Sequence, residues 1–267
     1  MKTIDPAALV GALTELAERA GREILAIYSR DIEVRDKADH SPVTDADERA
    51  ERIILQGLAA LAPDVPVVAE EAVAAGVVPD VSGGRFFLVD PLDGTREFIS
   101  RNGEFTVNIA LVENGRPSIG VVHLPALDAT YWTDGRDGAW RRLGPEPGKR
   151  IACRAPGDGL VVVASRSHRD AQTDAYLADF EVAELISAGS SLKLCRVAEG
   201  SADMYPRLGR TMEWDIAAGQ AVLQAAGGSV TTLAGEPLTY GKPGFDNPHF
   251  VARGLPRATA RAEAGPR

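Results

Sequence analysis

The run Asp90-Pro91-Leu92-Asp93-Gly94-Thr95 places two carboxylates three residues apart, directly after a strand predicted over 85–89. Pro91 fixes a turn and removes one backbone donor, and Gly94 allows a tight bend that another group can approach closely. Two acids at the end of a buried strand cannot both stay ionised unless a cation or hydrogen-bond donors compensate them. A hard divalent cation with oxygen ligands is the natural compensator, so this run predicts a metal site.

Three further acids lie at predicted element boundaries, and each has an ordinary structural interpretation beside a functional one. Glu70 follows a strand predicted over 65–69, where an acid often belongs to a solvated loop. Asp47 fits a capping box with Thr44 at the start of a helix, and Asp215 fits an N-cap. No His or Cys lies among these acids, which disfavours zinc and favours magnesium or manganese. Several acids with few neutral ligands suggest more than one metal.

A second candidate site is the stretch Gly189-Ser190-Ser191, which opens a helix predicted to continue to Glu199. Backbone amides at the start of a helix can bind an anion. A plain N-cap by Ser190 explains the same residues. The sequence leaves both interpretations open.

Length and composition limit the class of protein. The 267 residues suffice for one large domain or two packed ones, and 45% apolar residues allow a sizeable core. The formal charge of −9 argues against general binding to nucleic acid or anionic membranes. The two cysteines, Cys153 and Cys195, form no disulfide framework, which favours a reducing compartment. Without a signal-peptide core or an apolar run of about 18 residues, we expect a cytoplasmic protein with no membrane span.

Residues 1–150 are predicted to form an N-terminal α+β half that carries most of the candidate metal ligands. Two amphipathic helices, one over 5–29 and a second from the 41–47 stretch to about Leu61, precede an antiparallel sheet. The sheet includes a hairpin at Asn114-Gly115, which is the strongest short turn signal in the chain.

Residues 151–253 are predicted to form a C-terminal α/β half, because strand and helix patterns alternate there. A stretch rich in Pro and Gly at 145–159 predicts the boundary between the halves. Residues 254–267 are rich in Ala, Arg, Pro and Gly and are expected to be a disordered tail. The fold class is therefore α+β or α/β.

Four motifs occur in an order that resembles the inositol monophosphatase superfamily. They are Val43-Thr44-x-x-Asp47, Glu70-Glu71, Asp90-Pro91-Leu92-Asp93-Gly94-Thr95 and Trp214-Asp215-x-Ala217-Ala218-Gly219. The resemblance covers about residues 10–251, and an Asp-Pro-x-Asp-Gly-Thr run followed by a Trp-Asp is specific. It implies a layered α/β/α/β/α phosphatase fold and dependence on magnesium.

Longer stretches are similar to the bacterial 3'(2'),5'-bisphosphate nucleotidases, the CysQ family. These stretches are 95–99, 103–110, 189–193 and 211–215. That family removes the 3'-phosphate of adenosine 3',5'-bisphosphate (PAP), a by-product of sulfate assimilation. The resemblance implies the same activity, with 3'-phosphoadenylyl sulfate (PAPS) as a further candidate substrate and inhibition by lithium. The resemblance also suggests that the protein associates peripherally with the inner face of the inner membrane.

The resemblance implies a role for each motif residue. Two or three Mg²⁺ ions, for which Mn²⁺ can substitute, would be held by Glu70, Asp90, Asp93, Asp215 and the backbone carbonyl of Leu92. Catalysis would be carried by Thr95, Asp47 and Glu70, which orient or deprotonate the attacking water. Substrate would be bound by Leu92, Asp93, Gly94, Thr95, Ser165, His168, Ser190, Lys193 and Asp215. Lys193 is the candidate for the 5'-phosphate and His168 for adenine or a phosphate, whereas Arg196 and Arg207 have no assigned place.

Two other functions remain as alternatives. The first is an inositol monophosphatase or general sugar phosphatase on the same scaffold, against which Lys193 and the Gly-Ser-Ser-Leu-Lys run argue. The second is a metal-binding regulatory module without catalysis, against which the presence of both Thr95 and Asp47 argues. The sequence does not distinguish a monomer from a homodimer.

Overall fold

The computed structural model of the protein describes residues 5–30, 34–36, 42–133, 135, 138–165 and 171–257. The helices in these ranges are α1 (Pro6–Tyr28), α2 (Asp45–Leu61), α3 (Glu70–Ala74), α4 (Thr95–Ile99), α5 (Ala171–Leu177), α6 (Leu192–Ala198) and α7 (Glu213–Ala225). The first strands are β1 (Val34–Asp36), β2 (Pro42–Thr44), β3 (Val67–Ala69), β4 (Arg85–Asp93), β5 (Thr106–Glu113), β6 (Arg116–Leu124) and β7 (Ala129–Thr133). The remaining strands are β8 (Ala139–Leu143), β9 (Lys149–Ile151), β10 (Leu160–Ser165), β11 (Val182–Ala188), β12 (Met204–Arg207), β13 (Ser229–Thr232) and β14 (Phe250–Arg253).

A seven-stranded sheet in the order β3-β4-β5-β6-β7-β8-β9 carries helices on both faces. Strands β3 and β4 are parallel, and every other neighbouring pair is antiparallel. Because side chains alternate along a strand, Phe87 and Val89 of β4 pack in the cluster formed by α1 and α2. Phe86 and Leu88 face the opposite way and join the cluster that includes α7. The strand is therefore buried on both faces, which explains its nearly continuous apolar sequence.

A five-stranded sheet in the order β11-β10-β12-β14-β13 forms the second sheet of the fold. Val162 and Met204 pack on one face with Leu177 of α5. Val163 and Tyr205 point to the other face and join the cluster that contains α6 and α7. The layers run from α1 and α2 through the first sheet, α6 and α7, and the second sheet to α5. The predicted α/β/α/β/α arrangement is confirmed.

Helix α7 lies very close to both the first sheet and α6, and glycines make the approach possible. A Cβ atom at Gly120 of β6 would lie 2.3 Å from the backbone oxygen of Ala218 on α7. A Cβ atom at Gly219 of α7 would lie 2.5 Å from Cδ1 of Leu194 on α6. Neither contact leaves room for a side chain, so both positions require glycine for packing.

Local signals predicted the long helices and the hairpin correctly. Asp5 caps α1 by accepting a hydrogen bond from the amide of Ala8, and α2 begins after Thr44 in a capping box. Asn114 and Gly115 form the hairpin turn, with φ angles of 52° and 74°. The predicted range 5–29 differs from α1 by one residue at each end, and the predicted end of the second helix near Leu61 coincides with the end of α2.

Several short elements are absent from the predicted set: α3, α4, β1, β2, β9, β12 and β14. Strand β9 lies inside the Pro- and Gly-rich stretch at 145–159, and β12 contains Pro206. In each case, pairing with a distant strand outweighs weak local propensity. The division near residue 150 and the disorder of residues 254–267 stay predictions; residues 254–257 are described, and 258–267 lie outside the described part. Among the described residues, no helix combines the length and apolar character needed to span a membrane.

Candidate metal and phosphate site

A cleft of about 240 Å³ lies where the ends of β4, β10 and β12 meet the starts of the short helices and of α7. Its lining contains nearly all the predicted site residues: Glu70, Asp90, Leu92, Asp93, Gly94, Thr95, Ser165, Ser190, Lys193 and Asp215. Further lining residues are Arg96, Glu97, Ser191, Leu194, Tyr205, Arg207, Arg210, Thr211 and Ile216. Asp47 lies next to the cleft through Thr95, and His168 lies outside the described residues.

A β-bulge in β4 turns both acids of the Asp90–Thr95 run towards the cleft. Asp90 pairs with Asn108 of β5, and Asp93 pairs with Thr106, so two residues of β4 lie opposite the single residue Val107. In a regular strand, residues three apart point to opposite faces of the sheet. The extra residue of the bulge brings Asp90 and Asp93 to the same face. The bulge also contains Pro91, which can supply no ladder hydrogen bond.

Glu70, Asp90 and Asp215 form a cluster at one end of the cleft. One carboxylate oxygen from each lies within 4.8 Å of the others. Glu70 is the first residue of α3, Asp90 lies on β4, and Asp215 is in the first turn of α7. Residues from three distant parts of the chain therefore present oxygen atoms to one small volume.

Two of these acids, Asp90 and Asp215, are difficult to ionise in the absence of a cation. Burial, and then repulsion by Glu70, Asp93 and Asp215, raises the pKa of Asp90 well above its ordinary value. Burial, and then repulsion by Asp93 and Glu70, raises the pKa of Asp215 to about 8. A donor set made only of carboxylate oxygens suits a hard divalent cation, which would relieve this repulsion. The residues present thus fit a magnesium-type ion.

Asp47 belongs to the capping box of α2 and also contacts Thr95, which lines the cleft. Its Oδ2 atom accepts hydrogen bonds from the amide and the hydroxyl of Thr44, at 2.8 and 2.7 Å. Its Oδ1 atom accepts a hydrogen bond from the Thr95 hydroxyl at 3.3 Å. The capping and site interpretations of Asp47 are therefore compatible, because the two oxygens have different partners.

The two other boundary acids are also fixed by backbone contacts. The carboxylate of Glu51 accepts a hydrogen bond from the amide of Glu71 at 2.8 Å, which anchors the start of α3 and hence Glu70. Asp215 accepts a hydrogen bond from the amide of Met212 at 2.8 Å. The N-cap interpretation of Asp215 is wrong in detail, because Met212 occupies the N-cap and Asp215 lies three residues further on.

Asp93 is held by donors from two neighbouring elements. Its Oδ2 atom accepts a hydrogen bond from the amide of Ser191 at 2.7 Å. Longer contacts come from the Thr106 hydroxyl at 3.4 Å and from the Asn108 side-chain amide at 3.5 Å. Burial raises the pKa of Asp93, while the charge of Lys193 opposes that rise.

The Gly189-Ser190-Ser191 stretch follows neither of the two interpretations suggested by its sequence. The hydroxyl of Ser190 donates to the backbone oxygen of Glu104 at 2.8 Å, and Ser191 occupies the N-cap of α6 without a side-chain cap. The amides of Gly189 and Ser191 donate to the carboxylates of Glu104 and Asp93. These two amides are thus used by the protein's own acids rather than by an external anion. Ser190 adopts a φ angle of 40°, which its contact with Glu104 supports.

Cationic side chains line the other end of the cleft. Lys193 is only 5% exposed, donates to the backbone oxygen of Ser190 at 2.7 Å and lies 5.4 Å from the ring centroid of Tyr205. Burial lowers the pKa of Lys193 to about 8, against the opposite influence of Asp93. Arg207 donates a hydrogen bond to the backbone oxygen of Arg210 at 3.0 Å, and its Nε atom is buried without a partner among the described residues.

Sequence reasoning assigned no role in the cleft to Asn108 or Arg207, and it considered Ser191 only within the Gly189-Ser190-Ser191 stretch, not as a partner of Asp93. Asn108 has a detectable signal, since it is a polar residue inside the apolar strand β5. Arg207 lies beside the cleft only because β12, which was not predicted, ends there. Arg196, the other unplaced cation, pairs with Glu199 at 2.8 Å and does not line the cleft.

Comparison with known proteins agrees with this geometry. The model of the inositol monophosphatase family matches residues 5–262. The chain therefore belongs to the inositol monophosphatase family, as its motifs predicted, and members of this family are metal-dependent.

The chain is strongly similar to members of one branch of the family, the proteins named 3'(2'),5'-bisphosphate nucleotidase CysQ. The chain is 46% identical over 247 residues to the 3'(2'),5'-bisphosphate nucleotidase CysQ of Escherichia coli strain K12, covering 91% of this chain and 98% of that protein. It is 47% identical over 242 residues to CysQ of Salmonella typhimurium, covering 88% and 96%.

Solved structures also match the chain, with a higher identity for a CysQ protein than for an inositol monophosphatase. The crystal structure of CysQ from Bacteroides thetaiotaomicron matches with a TM-score of 0.80 and 39% identity, covering 93% of this chain and 97% of that chain. An inositol monophosphatase (IMPase) of Thermotoga maritima matches with a TM-score of 0.76 and 27% identity, covering 92% and 91%.

Proposed function

We propose that the chain is a magnesium-dependent phosphatase that removes the 3'-phosphate of PAP, giving AMP and inorganic phosphate, in sulfate assimilation. The observation that carries the proposal is the meeting of Glu70, Asp90 and Asp215 beside the Thr95–Asp47 pair. The similarity to proteins named 3'(2'),5'-bisphosphate nucleotidase CysQ indicates the substrate class.

The acids of the cleft would hold the cations that the reaction needs. Glu70, Asp90, Asp93, Asp215 and the backbone carbonyl of Leu92 are the proposed ligands of two or three Mg²⁺ ions, with Mn²⁺ as a substitute. When bound, such ions neutralise charge on a phosphate ester and make a nearby water more acidic.

The chain's own groups would orient the attacking water. The Thr95 hydroxyl donates its single proton in the hydrogen bond to Asp47, so its lone pairs can accept a hydrogen bond from the attacking water. As water attacks phosphorus, its proton would pass to the Thr95–Asp47 pair with the help of Glu70. The bond between phosphorus and the 3'-oxygen then breaks, and the leaving oxygen takes a proton from solvent.

Phosphate binding would use the backbone at the start of α4. Gly94 has a φ angle of 92° and Thr95 begins the helix. Both residues line the cleft, and their amides have no acceptor within the described residues. Two such amides can stabilise charge on a phosphate oxygen.

A bisphosphate is favoured over a monophosphate by the cationic end of the cleft. Lys193 and Arg207 lie there, whereas an inositol monophosphate would offer these side chains only hydroxyl groups. Ser165, which ends β10, and Ser190 line the same cleft and are proposed to contact the nucleotide. His168 is proposed for the same role on the resemblance alone. PAPS is a second candidate substrate, because it shares the 3'-phosphate.

The proposal is tested by measuring phosphate release from PAP, PAPS, inositol 1-phosphate and adenosine 3'-monophosphate with Mg²⁺, with and without lithium. We expect PAP to be the best of these substrates, and we expect a chelator or lithium to inhibit its hydrolysis. A preference for inositol 1-phosphate would favour the sugar-phosphatase alternative. Cation binding without release of phosphate from any substrate would favour a regulatory module.

A further inference from the structure

Ser191 connects two acids that reach the cleft on different elements. Its backbone amide donates to Oδ2 of Asp93 on β4 at 2.7 Å. Its hydroxyl donates to the backbone oxygen of Asp215 on α7 at 2.6 Å. Ser191 is 3% exposed, so water does not compete effectively for either contact. One residue thus fixes the first sheet against the first turn of α7.

Asn108 completes the connection from β5. Its side-chain amide donates to the Ser191 hydroxyl at 3.0 Å and, more weakly, to Oδ2 of Asp93 at 3.5 Å. A hydroxyl has one proton, and that of Ser191 is used by the Asp215 carbonyl. The hydroxyl must therefore accept from Asn108, which fixes a one-way series of hydrogen bonds from Asn108 through Ser191 to α7.

The amide oxygen of Asn108 shows that this arrangement has a cost. Asn108 is fully buried, and its Oδ1 atom has no hydrogen-bond partner among the described residues. A buried acceptor without a partner costs about 1–3 kcal/mol. A leucine of similar size in β5 would avoid that cost. Stability alone therefore does not account for an asparagine at this position.

We propose that Asn108 and Ser191 are positioning residues, which set the affinity of the cleft for divalent cations by fixing Asp93 relative to Asp215. Neither residue is proposed as a ligand of the metal or as a contact of the substrate. They act on the spacing of the two carboxylates, because Asn108 contacts the carboxylate of Asp93 and the Ser191 hydroxyl holds the backbone of Asp215. Hydrogen-bond partners of metal-binding side chains tune metal affinity in this way. The inference rests on the metal-dependent function proposed above and deepens it.

The variants Asn108→Leu and Ser191→Ala test the inference through Mn²⁺ binding to metal-stripped protein, followed by calorimetry. We expect each variant to bind Mn²⁺ about 10- to 100-fold more weakly than the wild type. We expect the double variant to bind Mn²⁺ only slightly more weakly than the single variant with the lower affinity, because the two residues belong to one series of hydrogen bonds. The melting temperature (Tm) of metal-free Asn108→Leu should equal or exceed that of the wild type.

Thr133→Val is the matched control, because Thr133 is also buried and its hydroxyl also lacks a partner among the described residues. Thr133 lies on β7 and does not line the cleft, so this variant should keep wild-type Mn²⁺ affinity. Kinetics give a second readout: Asn108→Leu should need more Mg²⁺ for half-maximal rate while KM for PAP at saturating Mg²⁺ changes little.

Two results would overturn the inference. The first is wild-type Mn²⁺ affinity in both single variants together with a lower Tm, which would make the two residues structural only. The second is a strictly additive loss in the double variant, which would show that they act separately. Failure of the proposed function looks different, because the wild-type protein itself would then bind no Mn²⁺ and release no phosphate from PAP; the inference would fall with it.

Discussion

The substitution Asp215→Asn should make the metal-free protein more stable while it abolishes phosphatase activity. Asparagine has nearly the same shape, and its side-chain oxygen can still accept the hydrogen bond from the amide of Met212. With a pKa of about 8, Asp215 is mostly protonated in the folded, metal-free protein at neutral pH, and the substitution removes the free-energy cost of that protonation, which burial and repulsion by Asp93 and Glu70 impose. A residue needed only for function should behave in this way.

The size of the effect follows from the pKa of Asp215, which rises from 3.8 to about 8. Because the unfolded chain keeps Asp215 ionised at neutral pH, protonating this carboxyl on folding costs on the order of 4 kcal/mol. Part of this cost remains in the variant, because the neighbouring acids still repel one another and the asparagine amide is itself buried. We therefore expect the variant to be ~2 kcal/mol more stable than the wild type. For a chain of this size that gain raises Tm by about 4–8 °C.

The assay is thermal unfolding of metal-stripped protein at neutral pH, with and without saturating Mg²⁺, together with phosphate release from PAP. The wild type should gain stability on adding Mg²⁺, since a ligand that binds the folded state raises Tm. The variant should gain much less and should show no activity.

Asp203→Asn is the matched control, because Asp203 is 4% exposed and has a cationic partner outside the cleft. Its Oδ1 atom accepts from Nε of Arg154 at 2.8 Å, so loss of its charge should lower Tm and leave the response to Mg²⁺ unchanged. A metal-free Asp215→Asn protein that melts below the wild type would refute the account of charge repulsion. A variant with the full Mg²⁺ response would refute the assignment of Asp215 as a ligand.

Three further predictions concern catalysis, substrate choice and pH. Thr95→Ala should lower kcat for PAP by ~10²-fold or more and leave Mn²⁺ affinity in calorimetry nearly unchanged; an effect on KM alone would contradict its role. Lys193→Ala and Arg207→Gln should each reduce kcat/KM for PAP at least ~10-fold more than for adenosine 3'-monophosphate, as expected for a charge-assisted contact to the second phosphate; equal losses on both substrates would exclude that contact. The Tm of the metal-free protein should fall as pH rises from about 5 to 8, because the folded-state pKa values of Asp90 and Asp215 are raised and the stability that goes with their protonation is lost as pH passes through them. A Tm that rises over this interval would contradict the prediction.

The local parts of the site could be predicted from the sequence because their signals are local. The run Asp90–Thr95 places its own turn, its own acids and its own helix start within six residues. Thr44 and Asp47 form a capping box whose geometry follows from their spacing. The order of the motifs then brought in Glu70 and Asp215, and the structure brings their carboxylates together.

The connections across the cleft could not be predicted in the same way. Nothing near Ser191 in the sequence shows that its amide contacts Asp93, 98 residues earlier in the chain. The bulge that turns Asp93 depends on the register between β4 and β5, and register is set by pairing rather than by either strand alone. An N-cap by Ser190 was one of two interpretations that the sequence left open, but the hydroxyl of Ser190 donates to the backbone oxygen of Glu104, 86 residues earlier in the chain.

Gly120 and Gly219 carry no functional group, yet they determine how closely α7, which carries Asp215, approaches the first sheet and α6. With a Cβ atom only 2.3 Å from the Ala218 oxygen, even alanine at position 120 would push α7 away from the sheet. Asp215 travels with that helix while Asp90 stays on β4, so a displacement of a few tenths of an ångström at a site remote from the cleft would reach the cation cluster directly. A homologue with intact acids but a bulkier residue at position 120 or 219 would therefore be expected to bind divalent cations more weakly and to have lost phosphatase activity.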